Sequence, residues 1–345
     1  MNEKDLKSLK FQRIVLTVLA VLLGIVLIVL IGGTVYANHL LDQLNYVDAE
    51  ETAPTLSVEE IAALESEPEE TLAGFVAPEI EAADFDFGTG PQIQIGGGDI
   101  VNILLIGYDL QNGAGSRSDT MILCTFNKNK NTIVLTSFLR DLYVEIPGYA
   151  DNRINAAYAF GGANLLKKTL KRNFGIEVDG CMQVDFYNFK DIINILGGVT
   201  LDLTEAEVAF VNKRAVGDPL SVGTNVLNGS QALWYARNRH DTDGDFSRTN
   251  RQRKVLNALL DEYKSKKLTE MLGLLNELLP LVTTDISKSD LTAYAVTLLP
   301  LVAEAEIKTQ SIPVAGGFKY ARIGGKAVLL PDMEKNRQVL IDSLT

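Results

Sequence analysis

By hydrophobic pattern, the chain divides into one long apolar segment near the N-terminus, a polar stretch, and a region of short apolar runs separated by turns. The segment from Ile14 to Ala37 carries no charge and is almost wholly apolar. Because a helix rises about 1.5 Å per residue, a segment of this length can cross the hydrocarbon layer, which needs about 20 residues. The pattern therefore predicts a transmembrane helix at residues 14–37.

The charges beside this segment predict its orientation. Four basic residues lie among residues 1–13, and the next Lys or Arg after Arg13 is Arg117. Positive charge is retained on the cytoplasmic side, so residues 1–13 are expected to be a cytoplasmic tail and the remainder extracellular. A cleaved signal peptide is the alternative, since Val35-Tyr36-Ala37 resembles a cleavage site, but its apolar region is usually about 7–15 residues long. We expect an uncleaved signal-anchor and a single-pass protein of the cell membrane.

The polar stretch is predicted to be a linker. Residues 38–98 are rich in Glu, Asp, Ala, Pro and Thr, and repulsion between like charges extends such a segment. We expect an acidic extracellular linker at residues 38–98, which holds a folded domain, residues 99–345, away from the bilayer.

Residues 99–345 alternate strand patterns with helix patterns. The first strand pattern is apolar on both faces, which is typical of a central strand, and five polar residues make the next two an antiparallel hairpin. The predicted strands are Ile100–Ile106, Thr120–Phe126, Thr132–Ser137, Val184–Phe189, Val199–Leu203 and Lys308–Pro313. The predicted helices are Ala163–Asn173, one through Ile195, Gly229–Tyr235, Arg248–Lys264, Leu268–Val282 and Leu291–Ala303. This mixture predicts an α/β or α+β fold, a three-layered mixed sheet flanked by helices.

Composition excludes several classes of function. The net charge is −12, but residues 1–98 hold sixteen acidic and four basic side chains, whereas residues 99–345 hold 28 of each sign. A neutral domain lacks the basic surface that nucleic-acid binding needs, so no nucleic-acid partner is expected. The two histidines lie far apart in sequence and there are two cysteines, which argues against a zinc site. Whether Cys124 and Cys181 form a disulfide stays open at this level.

Charged residues follow the predicted strands at one expected edge of the sheet. Asp109 lies just beyond the first strand, and Arg117 and Asp119 stand at the far side of the next loop. If the second and third strands each reverse direction, Arg140 and Asp141 return to the same edge. Strand ends beside loops are the usual ligand sites of open sheets.

This combination of side chains suits a pyrophosphate. Carboxylate pairs hold Mg²⁺, which completes its shell with phosphate oxygens and water. Guanidinium groups bind phosphate oxygens through paired hydrogen bonds and stay charged. We therefore interpret this edge of the sheet as a site for a pyrophosphate and a divalent cation.

A second group of charges lies between residues 237 and 253. It consists of five arginines and three aspartates, which are Arg237, Arg239, Arg248, Arg251, Arg253, Asp241, Asp243 and Asp245. On the following helix, Arg248, Arg251 and Gln252 share one face, and the helix N-terminus favours anions. The alternative is that Arg237 and Arg239 only neutralise the neighbouring aspartates on a solvated loop. Arg153 is either a third contribution to the site or only the start of a helix.

Several ordered motifs resemble one family. They are Asn102-Ile-Leu-Leu-Ile-Gly-Tyr-Asp109, Arg117-Ser-Asp-Thr-Met121, Ser137-Phe-Leu-Arg-Asp141, Arg153-Ile-Asn-Ala-Ala-Tyr158, Leu196-Gly-Gly-Val199, Ala236-Arg-Asn-Arg239, Gly244-Asp-Phe-Ser-Arg248 and Arg251-Gln252. In order and spacing they resemble the LytR–CpsA–Psr (LCP) family of bacterial cell-wall proteins, over roughly residues 99–265 and more loosely to residue 345. One departure is Phe138-Leu139, where the family often has Ile-Pro, but the following Arg-Asp pair remains.

The resemblance implies a Mg²⁺-dependent phosphotransferase of cell-wall biogenesis. Such proteins transfer a glycopolymer, such as teichoic acid or capsule, from a polyprenyl-pyrophosphate carrier to the C6 hydroxyl of N-acetylmuramic acid in peptidoglycan, and the product is a phosphodiester. On the matching motifs, Asp109 and Asp119 would hold Mg²⁺, or Mn²⁺ in its place. The prenyl chain would lie in an apolar pocket of the domain. The residues expected to bind the pyrophosphate are Arg117, Arg140, Arg153, Arg237, Arg239, Arg248 and Gln252.

The catalytic base and the acceptor are less constrained. Asp245 is the candidate for taking the proton of the acceptor hydroxyl and Asp141 is the second, although Asp141 could instead only orient Arg140. The same metal and arginines would also serve a polyprenyl-pyrophosphate pyrophosphatase, with water as the acceptor. A third hypothesis is a non-catalytic regulator of the cell wall that binds lipid phosphate.

Overall fold

The computed structural model describes residues 36–48, 77–109, 118–238, 245–265, 268–302 and 305–345. Two compact units are distinguished, with the boundary between Leu44 and Asn45. In the first unit, residues 36–41 are helical. Within the described ranges, none of the helices combines the length and the apolar character that a membrane crossing requires. The predicted transmembrane segment lies almost entirely outside the described residues.

The second unit contains a large mixed sheet, three strand pairs and surrounding helices. The strands are β1 (Asn45–Tyr46), β2 (Ile100–Tyr108), β3 (Ser118–Asn127), β4 (Thr132–Phe138), β5 (Tyr143–Val144), β6 (Asn152–Arg153), β7 (Gly180–Asp185), β8 (Val199–Leu203), β9 (Gly223–Leu227), β10 (Thr283–Thr284), β11 (Glu306–Ile312), β12 (Phe318–Ile323) and β13 (Lys326–Pro331). The helices are α1 (Ile154–Phe174), α2 (Phe186–Ile195), α3 (Glu205–Asn212), α4 (Gly229–Arg237), α5 (Asp245–Ser265), α6 (Leu268–Leu278), α7 (Lys288–Val302) and α8 (Met333–Leu344).

The large sheet has the strand order β1-β10-β7-β2-β3-β4-β11. Strand β3 runs antiparallel to β4, as the five-residue turn predicted, and it also runs antiparallel to β2. Strand β7 runs parallel to β2, and β11 runs parallel to β4. The prediction of a mixed sheet flanked by helices is therefore confirmed. Because β2 is central, both of its faces are covered, which explains why its side chains are mostly apolar on both faces, with the buried Asn102 as the polar exception.

Alternate side chains of β2, β3 and β4 face two different helix layers. The main core lies on the face that α1 and α8 cover, with the buried residues Leu104, Leu123, Val134, Leu166 and Leu340. The opposite face packs against α5 and α7, through Ile103, Ile122, Ile133, Leu256 and Leu298. A minor core joins α2, α3, α4 and α5 to the β8–β9 pair, through Ile193, Val199, Val211, Tyr235 and Val255. Helix α5 thus contacts both the sheet and the minor core, which positions its first turn.

One predicted strand, Val184–Phe189, is wrong over most of its length. Strand β7 ends at Asp185, and α2 begins at the next residue. The side chain of Asp185 accepts hydrogen bonds from the backbone N–H groups of Tyr187 and Asn188, at 2.7 and 2.9 Å. Such a cap stabilises a helix start, and it outweighs the strand preference of the aromatic residues that follow. The β12–β13 hairpin and α8 were not predicted.

The folded domain begins before residue 99. Strand β1, at Asn45–Tyr46, already pairs with β10, and Glu79 forms a bridge with Arg322 of β12. Phe87 and Ile95 are buried in the main core. The predicted linker therefore includes residues of the domain, and residues 49–76 connect two segments that are both attached to it.

Because the folded domain begins before residue 99, two isoleucines that lie two positions apart should contribute differently to its stability. Ile95 is 1% exposed and Ile93 is 47% exposed. Replacing Ile95 with alanine is expected to lower the free energy of unfolding by about 2–5 kcal/mol, because it leaves a cavity in the core. Ile93→Ala is the matched control, with an expected change within about 0.5 kcal/mol. Equal stability of the two variants in denaturant titrations would show that this segment does not belong to the core.

The question of a disulfide is settled by the strand order. Cys124 on β3 and Cys181 on β7 are both free thiols, and β2 lies between their strands. Two strand spacings are roughly 9.5 Å, which exceeds the reach of a disulfide. Burial raises the pKa of each thiol to about 12, so both are neutral and poor nucleophiles or metal ligands.

Candidate functional site

A β-bulge positions the first carboxylate of the site. In the β2–β3 ladder Gly107 pairs with Thr120, but Tyr108 pairs with Ser118, so Asp119 is the extra residue of β3. A bulge leaves its extra residue out of the ladder and re-aims its side chain. Asp109 follows the last residue of β2 directly. Asp109 and Asp119 therefore both stand at this end of the sheet.

The residues that follow β4 return to the same end, as predicted. Nη1 of Arg140 donates a hydrogen bond of 3.1 Å to Oδ1 of Asp119. Nε of Arg140 lies 3.4 Å from Oδ1 of Asp141, and Nη1 of Arg153 lies 3.6 Å from the same oxygen. A chain of alternating charges thus runs Asp119, Arg140, Asp141, Arg153. Arg153 therefore joins the site rather than only starting α1.

Helix α5 brings a buried arginine to Asp119 from another direction. Arg248 is 2% exposed, and its Nη1 lies 3.9 Å from Oδ1 of Asp119. One helical turn further, Nε2 of Gln252 lies 3.5 Å from the backbone oxygen of Asp119. The predicted shared face of Arg248 and Gln252 is thus directed at Asp119, with Arg248 near its carboxylate and Gln252 near its backbone oxygen. Burial of a guanidinium group is costly unless anionic partners surround it, so the location of Arg248 indicates an anionic environment.

The last residue of α4 is placed at Asp109. Nη2 of Arg237 lies 3.6 Å from Oδ2 of Asp109, and the guanidinium group lies over the ring of Phe186, 4.7 Å from its centre. Helix α4 begins with a reciprocal cap between Asn228 and Gln231, which fixes the start of the helix and hence the position of its end. In the described part of the chain Arg237 therefore faces Asp109, one of the two carboxylates expected to hold a cation.

Three of the predicted site residues cannot be placed. Arg117 and Arg239 lie outside the described residues, and so does the side chain of Asp245. The aspartates at positions 241 and 243, which the solvated-loop alternative requires, lie outside them as well. The described part of the site contains four arginines and three aspartates: Arg140, Arg153, Arg237, Arg248, Asp109, Asp119 and Asp141.

One arginine of the second cluster has a structural partner instead. Nε of Arg251 donates a hydrogen bond of 2.9 Å to Oε1 of Glu207, and its Nη1 donates one of 3.0 Å to the backbone oxygen of Asn238. Arg251 is 4% exposed. Its helical spacing grouped it with the site residues, but it ties α5 to α3 and to the end of α4. Sequence inspection did not detect Glu207, because its role depends on a partner 44 positions away.

Two tyrosines lie near this end of the sheet: Tyr108 is the last residue of β2, and Tyr158 belongs to α1. The rings of Tyr108 and Tyr158 are 5.6 Å apart, and the hydroxyl of Tyr158 donates a hydrogen bond of 2.8 Å to Oε1 of Gln183. Burial raises the pKa of Tyr108, and the nearby Asp185 raises it further. Burial likewise raises the pKa of Tyr158. Both phenols are therefore neutral at physiological pH, so they can donate hydrogen bonds but are poor general bases.

The donor set fits a hard cation that binds few protein ligands. In the part of the chain that the structure describes, no three His, Cys, Asp or Glu side chains are grouped to hold a metal ion. Mg²⁺ needs only one or two protein carboxylates, because phosphate oxygens and water complete its shell. Asp109 and Asp119, two carboxylates at one sheet edge, match that requirement. They would not suffice for an ion that takes all its ligands from the protein.

Comparisons with known proteins identify relatives of this chain. The model of the LytR_cpsA_psr family matches residues 82–340. Regulatory protein MsrR of Staphylococcus aureus (strain COL) is 31% identical over 252 residues, which cover 71% of this chain and 74% of MsrR. Polyisoprenyl-teichoic acid–peptidoglycan teichoic acid transferase TagU of Oceanobacillus iheyensis is 34% identical over 226 residues, covering 63% of this chain and 68% of TagU.

Solved structures show the same fold. Bacillus subtilis TagT bound to LI-WTA superposes with a TM-score of 0.58 at 27% identity, covering 71% of this chain and 91% of TagT. TagT with bound octaprenyl pyrophosphate lipid gives a TM-score of 0.55 at 26% identity, covering 72% and 91%. Residues 82–340, which the family model matches, contain strands β2 to β13 and the charged residues at the sheet edge. The chain is therefore a member of the LytR_cpsA_psr family.

Proposed function

We propose that this protein transfers a glycopolymer phosphate from a polyprenyl-pyrophosphate carrier to peptidoglycan. The acceptor is the C6 hydroxyl of N-acetylmuramic acid, and the product is a phosphodiester. One observation carries the proposal: arginines from three separate parts of the chain, Arg140, Arg237 and Arg248, meet the carboxylates at one edge of the sheet. Relatives named as teichoic acid transferases and a relative with bound octaprenyl pyrophosphate support it.

The arginines would bind the pyrophosphate and stabilise its charge during transfer. Phosphoryl transfer depends on positioning and neutralisation of charge more than on covalent chemistry. Arg140, Arg237 and Arg248 supply guanidinium groups from different directions, and we expect Arg117 and Arg239 to add to them. Asp109 and Asp119 would hold Mg²⁺, which when bound supplies positive charge to the phosphate oxygens.

In the reaction, the C6 oxygen of the acceptor forms a bond to the phosphorus that carries the glycan. The bond from that phosphorus to the bridging oxygen breaks, and polyprenyl phosphate leaves. We propose that Asp245 accepts the proton of the hydroxyl. Asp141 holds Arg140 and Arg153 within 3.6 Å of one of its oxygens. This contact favours Asp141 as a positioning residue for Arg140.

An apolar face beside the charged edge suits the prenyl chain. Between the sheet and helices α5 and α7, several large apolar side chains are only partly buried, although they lie beside buried side chains such as Ile122. They include Leu105, Phe126 and Met182 of the sheet, and Leu256 and Tyr294 of the helices. Incomplete burial of large apolar side chains is typical of a surface that binds an apolar ligand. We propose that the prenyl chain packs along this face.

We also propose the setting of the reaction. A helix at residues 14–37 would anchor the protein in the cell membrane with residues 1–13 in the cytoplasm, and the domain would be extracellular, where peptidoglycan lies. The balanced charge of residues 99–345 gives no support for a nucleic-acid partner.

The test uses the full-length chain in detergent with Mg²⁺, a labelled glycan on polyprenyl pyrophosphate, and peptidoglycan oligomers. Label is expected to become covalently attached to peptidoglycan, and this attachment is expected not to occur when EDTA is present. Arg140→Ala is expected to lower the rate by about 10²–10³, because it removes charge stabilisation at the transferred phosphate.

Arg172→Ala is the matched control, since Arg172 is exposed and pairs with Glu145 away from the site. Its rate is expected to equal that of the unaltered protein. Release of free phosphate-glycan without attachment would instead support the pyrophosphatase. Binding of the lipid without turnover would support the regulator, which the name of MsrR makes the second hypothesis.

A further inference from the structure

A run of aromatic rings and cations extends from the site across α4 and α3. The guanidinium carbon of Arg237 lies 4.7 Å from the ring centre of Phe186 and 5.6 Å from that of Trp234. The Trp234 ring stands edge-on to Phe210 at 6.4 Å, and the guanidinium carbon of Arg214 lies 3.9 Å from the ring centre of Phe210. We call these five residues the aromatic stripe.

Core packing accounts for only part of the aromatic stripe. All five side chains are partly exposed. Phe210 packs against the minor core, whereas the rings of Phe186 and Trp234 lie outside the clusters of buried side chains that the described residues form. Large aromatic rings that stay partly in water beside a charged cleft are typical of binding surfaces.

The position of the stripe relates it to the pyrophosphate site. One end is Arg237, whose guanidinium group lies 3.6 Å from Asp109. The other end is Arg214, in the turn that follows α3. A ligand whose pyrophosphate is held at the sheet edge would therefore meet Arg237 first and then the rings of Trp234 and Phe210.

We propose that the aromatic stripe binds the glycan of the lipid-linked donor, an inference that rests on the proposed function. The C–H groups on the face of a sugar ring pack against aromatic faces, while the hydroxyl groups at its rim stay hydrated. Arg214 provides a fork for a phosphate group within the glycopolymer. Charge assigns the stripe to the donor, because its two cations, Arg237 and Arg214, complement an anionic polymer.

The test measures dissociation constants of two lipids for the full-length chain in detergent. One lipid is polyprenyl pyrophosphate without a glycan, and the other carries a phosphate-containing oligosaccharide. For Trp234→Leu and for Arg214→Gln, the dissociation constant of the glycan-bearing lipid is expected to rise roughly 3–10-fold. The value for the glycan-free lipid is expected to stay within about twofold. Trp234→Phe, which keeps a ring, should retain most of the affinity.

Two variants serve as matched controls. Lys213→Gln removes the same charge one position from Arg214, at an exposed side chain. Tyr320→Leu removes a partly exposed ring from β12. Both are expected to bind the two lipids as the unaltered protein does. Melting temperatures identify any variant that fails to fold. If Trp234→Leu does not fold, the test rests on Arg214→Gln, which removes no ring.

Three results would overturn the proposal. An equal loss of affinity for both lipids would mean that the rings only hold Arg237 in place. Unchanged affinity for both lipids would mean that the stripe binds neither. Weaker binding of peptidoglycan oligomers with unchanged donor affinity would assign the stripe to the acceptor. Failure of the proposed function can be distinguished from failure of this proposal. If the variants weaken binding of the glycan-bearing lipid alone, but the unaltered protein transfers no glycan, the stripe binds the glycan and the protein is not a transferase.

Discussion

Replacing Asp119 with asparagine is expected to abolish transfer while leaving binding of the lipid pyrophosphate intact. Asp119 is the extra residue of the bulge, and its carboxylate lies between Arg140 and Arg248. Asparagine keeps the size of the side chain but removes the charge that would hold Mg²⁺, so the rate should fall by at least about 10²–10³. Binding should persist, because the arginines remain and lose an internal anionic competitor. The measurements are label transfer to peptidoglycan and the dissociation constant of the lipid.

Asp202→Asn is the matched control for this experiment. Asp202 is an exposed carboxylate on β8, where it accepts a hydrogen bond from Thr224, and it lies outside the proposed site. Its rate is expected to match that of the unaltered protein. Transfer at a normal rate by folded Asp119→Asn would remove Asp119 from the metal site, and loss of lipid binding by that variant would show that its carboxylate serves to arrange the arginines.

Breaking the Glu207–Arg251 pair is expected to cost about 3–5 kcal/mol of stability, because either single change leaves the other partner buried without its counter-charge. Both side chains are buried, and Glu207 also completes the reciprocal cap of α3 with Thr204. The variants are Glu207→Gln and Arg251→Met, measured by denaturant unfolding. The double variant is expected to lose less than the sum of the two single losses, since the contact is shared.

The exposed pair of Arg172 and Glu145 provides the control for stability. Arg172→Met is expected to change the free energy of unfolding by about 0–1 kcal/mol, because solvent screens an exposed ion pair. If Arg251→Met lowers the free energy of unfolding no more than Arg172→Met does, the buried pair does not hold α5 to α3.

The contribution of Glu207 is also expected to depend on pH. Burial by itself would raise the pKa of Glu207, but hydrogen bonds from Thr204 and Arg251 outweigh burial and hold the pKa below its ordinary value of 4.5. A carboxyl whose pKa is lowered by folding stabilises the fold above its unfolded pKa and loses that effect as pH falls through its folded pKa. The difference in stability between the unaltered protein and Glu207→Gln should therefore shrink below about pH 4.5.

Much of the sheet and the family were predictable because they depend on local pattern. The strand Ile100–Ile106 is largely apolar on both faces. This pattern indicates that both faces are buried, and it does so without knowledge of which elements cover them. Asp109, Asp119, Arg140 and Asp141 could be grouped because antiparallel strands return charged ends to one edge. The ordered motifs identified the family, which the match over residues 82–340 confirms. The transmembrane helix, the extracellular location and the Mg²⁺ dependence stay predictions.

Tertiary structure decided which partner each charge meets. Helical spacing made Arg248 and Arg251 equivalent, yet one faces Asp119 and the other Glu207. The same limit applied to Ile95, whose sequence surroundings resemble a linker although its side chain lies in the main core. Hydrophobic periodicity encodes which face of an element is buried, but not what covers that face. Ion pairs and packing contacts between distant segments arise only when the whole sheet is assembled, so one strand's pattern cannot specify them.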